Sequence, residues 1–222
     1  KLTTTGSANV IIGNYAGQCH VSGSENVYIS HCAGRCMCNG DANVAIGNHA
    51  LQGGSTVSDN TGTLNVAIGK DAGCVVTTGH RNVLIGYETG KALTTGNRNV
   101  LLGTNAGDSI STGDYNVAVG FNVDVASATG SSQLAIGCGT SNWITGDSSF
   151  NVTVNDISAS NFNSTSDIRL KTNIQPIGNP IGKVKQIEGV SFNWKKDNKP
   201  ALGVIADQVE KILPELVHGD DP

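Results

Sequence analysis

The chain has 222 residues, enough for one large or two small domains. Hydrophobic residues make up 38%, aromatics 5% and charged residues 14%, with a formal net charge of −4, so neither a basic nucleic-acid surface nor a highly charged disordered chain fits. No apolar run reaches the roughly eighteen residues of a membrane helix and no signal peptide is visible, so neither membrane insertion nor a nucleic-acid partner is expected.

The start at Lys1 rather than Met reads as a fragment or a processed product. Glycine is abundant, at 29 of 222, and unevenly spread. Residues 1–165 hold 24 of those glycines but six of the 14 Lys and Arg, and residues 166–222 hold the other eight basic residues. This shift marks a domain boundary near residues 164–167.

From the N-terminus, Asn recurs at Asn9, Asn26, Asn43, Asn65, Asn82, Asn99 and Asn116, and Gln133 takes the eighth place. Every interval is 17 residues except one of 22, whose five extra residues enlarge a turn at 52–63. Glycine keeps the same clock at Gly6, Gly23, Gly40, Gly62, Gly79, Gly96, Gly113 and Gly130. A fixed short period means stacked supersecondary units, and 17 residues are too few for a pair of helices.

After each Asn comes Val or Leu134, and two residues later Ile, Leu102 or Val119, the alternation of a strand. Glycine follows the strand in seven of eight copies, Ser30 being the exception, and permits the positive φ of a sharp corner. A second apolar signal (Ala16, Ala33, Ala50, Ala72, Ala106, then Val76, Leu93, Ile110) predicts a second short strand in each coil. The residue between Val and Ile is apolar too: Ile11, Tyr28, Ala45, Ala67, Leu84, Leu101, Ala118 and Ala135. A strand apolar on both faces needs cover on both. The sequence therefore predicts a homo-oligomer, with Ile11, Leu84 and Leu101 expected on the face that meets sister chains. Eight coils at about 4.8 Å each would make a rod on the order of 40 Å long.

Repeats of the form NVAIGxxAG, over roughly residues 6–140, resemble the left-handed parallel β-roll heads of trimeric autotransporter adhesins. They also resemble the repetitive shafts of phage tail fibres, cyanophage fibres included. The resemblance implies a fibrous homotrimer.

Residues 141–165 lose the period; alternation at Phe150, Val152, Val154, Ile157 and Phe162 predicts an extended stalk. Beyond it, VSFNWKKDNKPALGVIADQVEKILPELV reads as a strand, a polar turn at Asp197 and Asn198, and a helix with Ile205, Val209 and Ile212 on one face.

SDIRLKTNI and GVIADQVEKILPELV closely resemble the C-terminal intramolecular chaperone shared by endosialidase tailspikes, other phage tail fibres and the myelin regulatory factor. The resemblance runs from Ser166 to about Val217; the long helix that continues the family's domain is not in this sequence. It implies a domain that trimerises, aligns three chains, and then cuts itself off with a Ser and a Lys five residues later, here Ser166 and Lys171. The cleavage site would be Thr165, Ser166 and Asp167. A serine hydroxyl needs a base, and a partly desolvated Lys can serve as one. Attack on the Thr165 carbonyl would be an N→O acyl shift; breakage on the other side of Ser166 stays open.

Cys19 and Cys36 share a column in adjacent coils, as do Cys32 and His49. Three readings stay open for the cysteines: buried small residues, a Cys19–Cys36 disulfide, or a Cys/His metal site. Without CxxC…CxxC spacing no metal ligand is nominated. His20, His31 and His80 fall at turns and read as solvated. GGxGxD calcium repeats, GxSxG, HExxH and P-loop motifs are absent, and no cofactor is expected. The sequons at Asn151 and Asn163 matter only in a secretory context.

The sequence thus predicts a mainly β protein: a β-roll or β-solenoid shaft at 1–140, a stalk at 141–165, and a small α+β chaperone domain at 166–222, incomplete at its C-terminus. The expected function is a structural tail fibre, assembled in the host cytoplasm, sited in the virion beside other tail proteins, and attaching to a host glycan or protein receptor. Any enzymatic activity would be single-turnover self-cleavage. The 52–63 turn and the corners near Tyr87 and Tyr115 are candidate receptor surfaces. The rivals are a cellular trimeric adhesin head and the shaft of a glycan-degrading tailspike whose enzyme lies upstream.

Overall fold

The computed structural model describes residues 5–154, 172–195 and 198–216. The chain divides into two compact units, 1–159 and 160–222.

The first unit is a β-solenoid built on one ten-stranded sheet in sequence order. Strands β1 (Val10–Ile12), β2 (Val27–Ile29), β3 (Val44–Ile46), β4 (Val66–Ile68), β5 (Val83–Ile85), β6 (Val100–Leu102), β7 (Val117–Phe121) and β8 (Leu134–Cys138) are parallel. They stand in strict repeat register: Val83 opposes Val100 and Leu84 opposes Leu101. Then the direction reverses. Strand β9 (Ser141–Gly146) pairs antiparallel with β8 through an irregularity at Ile136 and Gly137, and β10 (Val152–Val154) pairs antiparallel with β9. Residues 141–154 are therefore extended, but they fold back as a hairpin that continues the sheet; residues 155–165 lie outside the described residues.

Each coil contains one strand, not the two expected. The return side is a pair of consecutive turns, closed by Ala16 N–H to the Gly13 carbonyl (3.4 Å) and by His20 N–H to the Gly17 carbonyl (3.0 Å). The reason is conformational. Tyr15 and Gly17 both have positive φ (58° and 53°), which breaks a strand, and the pattern recurs at Cys32 and Gly34 (58° and 57°). Rung-to-rung hydrogen bonds still run along this side, as from Gly34 N–H to the Ala50 carbonyl (2.9 Å).

The interior corrects the face assignment. The middle column points inward: Tyr28, Ala45, Ala67, Leu84, Leu101 and Ala118 are all fully buried. Only Ile11, on the terminal rung, is exposed. The Val and Ile on either side of each middle residue point outward and are half-buried through β2 to β8, with Ile85 just into the exposed range. The opposite inner wall comes from the turns: Ala33, Met37, Ala50, Ala72, Val76, Leu93 and Ile110. Leu51, buried with φ 48°, stands where Gly17, Gly34, Gly73, Gly90 and Gly107 stand in other coils. Its side chain joins the same buried core as the small Ala45 and Ala67.

An asparagine ladder binds the rungs. The Asn82 side-chain oxygen accepts from Asn99 N–H (2.9 Å), and its amide donates to the Gly96 carbonyl (2.9 Å). The same pair of contacts holds at Asn43, Asn65, Asn99 and Asn116. These amides are buried, so the ladder satisfies polar groups that water cannot reach. It also explains the second glycine column: a Cβ on Gly79 would lie 2.6 Å from the Gly96 oxygen, which is the Asn82 acceptor.

The second unit, among its described residues, has helix α1 (Pro180–Val184), strands β11 (Val190–Asn193) and β12 (Pro200–Gly203) as an antiparallel pair, and helix α2 (Ala206–Glu210). Asn179 caps α1, accepting from Gly182 N–H at 3.2 Å, with Pro180 at the first helical position. The expected hairpin pairing is present, with Asp197 of its turn outside the described residues; the expected helix is shorter than the sequence suggests, with Ile205 as its N-cap and Ile212 beyond its end. No described residue of this unit is buried. Among the described residues no helix is long and apolar enough to cross a membrane.

Candidate functional site

Three surfaces of the solenoid bear on function. The first is its outward strand face. Val27, Val44, Val66, Val83, Val100 and Val117 form one apolar row, and Ile29, Ile46, Ile68, Ile85, Leu102 and Val119 form a second. Parallel register fixes them as unbroken stripes, one residue per rung. At the C-terminal end the first stripe opens into an apolar groove of about 500 Å³ lined by Tyr115, Val117, Leu134, Phe150 and Val152. Phe150 is 85% exposed. A long apolar surface of this regularity is the mark of an interaction face.

The second is the cysteine-rich corner. Cys19 and Cys36 meet on adjacent rungs. Burial, and then the neighbouring Cys19 thiol, push the Cys36 pKa upward. Cys36 is therefore a poor nucleophile at neutral pH. The expectation that all three turn histidines are solvated fails at His20, which is buried. Its ring nitrogens face the Met37 carbonyl (3.2 Å) and the Gly23 carbonyl (2.7 Å). The 17-residue period could not reveal this, because it does not show which turn side chains fold under the coil.

The third is the set of expected receptor corners. Asn60 closes the enlarged turn: it is buried, donates to the Gly54 carbonyl (2.8 Å) and accepts from Gly54 N–H (2.9 Å). Lys70 lies 5.0 Å from the Tyr87 ring centre, and Arg98 donates to the Tyr115 hydroxyl at 2.8 Å. Tyr87 and Tyr115 are thus each braced by a cation from the preceding rung.

The expected dyad Ser166 and Lys171, with Thr165 and Asp167 of the cleavage site, lies outside the described residues. Evidence for that region comes from comparison. Residues 166–218 match the family model described as the chaperone of endosialidase. The second unit is a small C-terminal chaperone domain. No curated protein and no solved structure matches the chain. The protein is thus a mainly β solenoid of about eight turns followed by a chaperone-type domain.

Proposed function

We propose that the protein is a trimeric tail fibre whose shaft packs three solenoids along the outward Val and Ile stripes. The chaperone domain brings the three chains into register, and the shaft then zips from that end. The observation that carries this reading is the pairing of a chaperone-type domain at 166–218 with a solenoid that leaves an apolar face open along its length. The stripes match one residue per rung, so a slip by one rung still pairs apolar with apolar; a separate device that sets register answers that ambiguity.

The domain then releases itself. Neutral Lys171 takes the Ser166 hydroxyl proton, the oxygen attacks the Thr165 carbonyl carbon, and the amide nitrogen leaves protonated as the amino group of Ser166. The resulting ester is hydrolysed by water to a Thr165 carboxylate and a free Ser166 hydroxyl. The released shaft serves attachment to a host surface as part of the virion.

Denaturing gels of the wild type, Ser166→Ala and Lys171→Ala, each expressed with its native C-terminal continuation, test the release step. The wild type should yield a shaft fragment and a chaperone fragment, and both variants should stay whole. Normal cleavage of either variant refutes the dyad.

A further inference from the structure

The coil corner just after the strands gathers metal-ligand chemistry that the fibre reading does not use. The residues at Tyr15, Cys32, His49, Asp71 and Glu88 occupy one column, all with positive φ. Three successive rungs therefore stack a thiol, an imidazole and a carboxylate. His31, beside Cys32 in sequence, turns into the same corner, and one ligand atom from each of His31, Cys32 and His49 lies within 4.8 Å of the others.

We infer that His31, Cys32 and His49 form a binding site for a borderline divalent transition-metal ion of the zinc class. The geometry is close to what such an ion requires. Sγ of Cys32 lies 3.7 Å from Nε2 of His31. Tetrahedral zinc with ordinary bond lengths separates a sulfur from a nitrogen ligand by about 3.6 Å. The His31 and His49 rings are 5.5 Å apart between centres. His31 is exposed, at the open side of the cluster.

The outer partners are those of a metal site. Nδ1 of His49 faces a carboxylate oxygen of Asp71 at 3.2 Å, and Lys70 holds the other oxygen of Asp71 at 2.8 Å. A carboxylate behind Nδ1 fixes the proton there and leaves Nε2 with its lone pair for an ion. Nδ1 of His31 lies 3.2 Å from the Asn48 side-chain amide, whose oxygen, once turned, accepts the Nδ1 proton and leaves Nε2 free beside the thiol. Cys32 is 3% exposed, so the thiolate would sit at the floor of the site with the imidazoles at its mouth. On binding, the Cys32 S–H bond breaks, a sulfur–metal bond forms and the proton passes to solvent. Three protein ligands leave the fourth position to water. Soft sulfur with two imidazoles suits zinc, cobalt or copper and disfavours magnesium or calcium.

The test is titration of the reduced full chain with cobalt(II), read by its sulfur-to-metal charge-transfer absorption, with zinc(II) as competitor. Binding of one ion per chain with a thiolate band, displaced by zinc, is expected. Cys32→Ser should abolish the band. His49→Asn, which suits the positive φ, should weaken binding at least about tenfold, and Asp71→Asn roughly tenfold. Cys36→Ser should change nothing. Zinc should raise the melting temperature of the wild type but not of Cys32→Ser, which also shows whether that variant is folded. Absence of a stoichiometric thiolate band, or a band that survives Cys32→Ser, or one lost in Cys36→Ser, overturns the assignment.

Discussion

The two units hold their apolar residues in opposite ways. In the solenoid, Tyr28, Leu84, Leu93, Leu101 and Ile110 are fully buried, and the polar groups between rungs are joined by the asparagine ladder. In the C-terminal unit Ile181, Val184, Leu202 and Leu216 are all more than half exposed. A stack of identical coils supplies each rung with two ready-made neighbours. Among the described residues of the second unit, a short hairpin and two five-residue helices form no such repeating stack. The shaft therefore carries its stability inside each chain and its apolar surplus outside. Among its described residues the chaperone-type unit leaves its large apolar side chains largely exposed.

The contrast breaks first at the ladder. Asn82→Ala removes the acceptor of Asn99 N–H and the donor to the Gly96 carbonyl, leaving two buried groups unpaired. At about 1–3 kcal/mol each, the expected loss is about 2–6 kcal/mol, read by chemical denaturation. A loss below about 1 kcal/mol would mean that water replaces the ladder.

Leu84→Ala and Leu202→Ala test the two units side by side. The inward Leu84 should cost about 2–5 kcal/mol of shaft stability. Leu202, 84% exposed, should change the stability of a separated chain by less than about 0.5 kcal/mol. A larger effect of Leu202→Ala in the assembled protein than in dilute single chains would show which copies cover it.

Ser30 breaks the corner-glycine column with φ 116°, against 136° at Gly47 and 133° at Gly69. Ser30→Gly should relieve strain and stabilise the shaft by about 1 kcal/mol in the same denaturation series.

The smallest effect is in pH. Burial, and then the neighbouring Asp108, raise the Asp124 pKa from its ordinary 3.8 to about 6. The folded chain keeps a proton that the unfolded chain releases. That contribution is complete below the unfolded value and is lost as pH rises through about 6. Asp124 is partly exposed, so solvent reduces the effect. The melting temperature should fall modestly from pH 4 to pH 7, and Asp124→Asn should flatten that fall.

Much of the shaft was legible because its signals are one-dimensional. The Asn clock gives the rung, Val-x-Ile gives the strand, and the glycine after it gives the corner. The sign of the faces was not legible, since alternation separates two apolar columns without saying which is inside. Residue size held a clue: four alanines among Ala45, Ala67, Ala118 and Ala135 suit a narrow lumen, and β-branched rows suit a broad outer face. The second strand failed because local backbone geometry overrode the apolar spacing at Tyr15 and Gly17. At the corner site, Cys32 and His49 announced themselves by sharing a column. His31 did not, because the period says nothing about where a corner side chain turns.

The central claim is that the outward Val and Ile stripes are covered by sister chains. Light scattering on the uncut Ser166→Ala protein, beside the same protein carrying Ile68→Lys and Ile85→Lys, tests it most directly. The account predicts a mass three times the 22.8 kDa of one chain, falling toward a single chain when the stripe is charged, with the coil signature retained. A folded shaft that stays at the mass of one chain, or a trimer indifferent to both lysines, would contradict it.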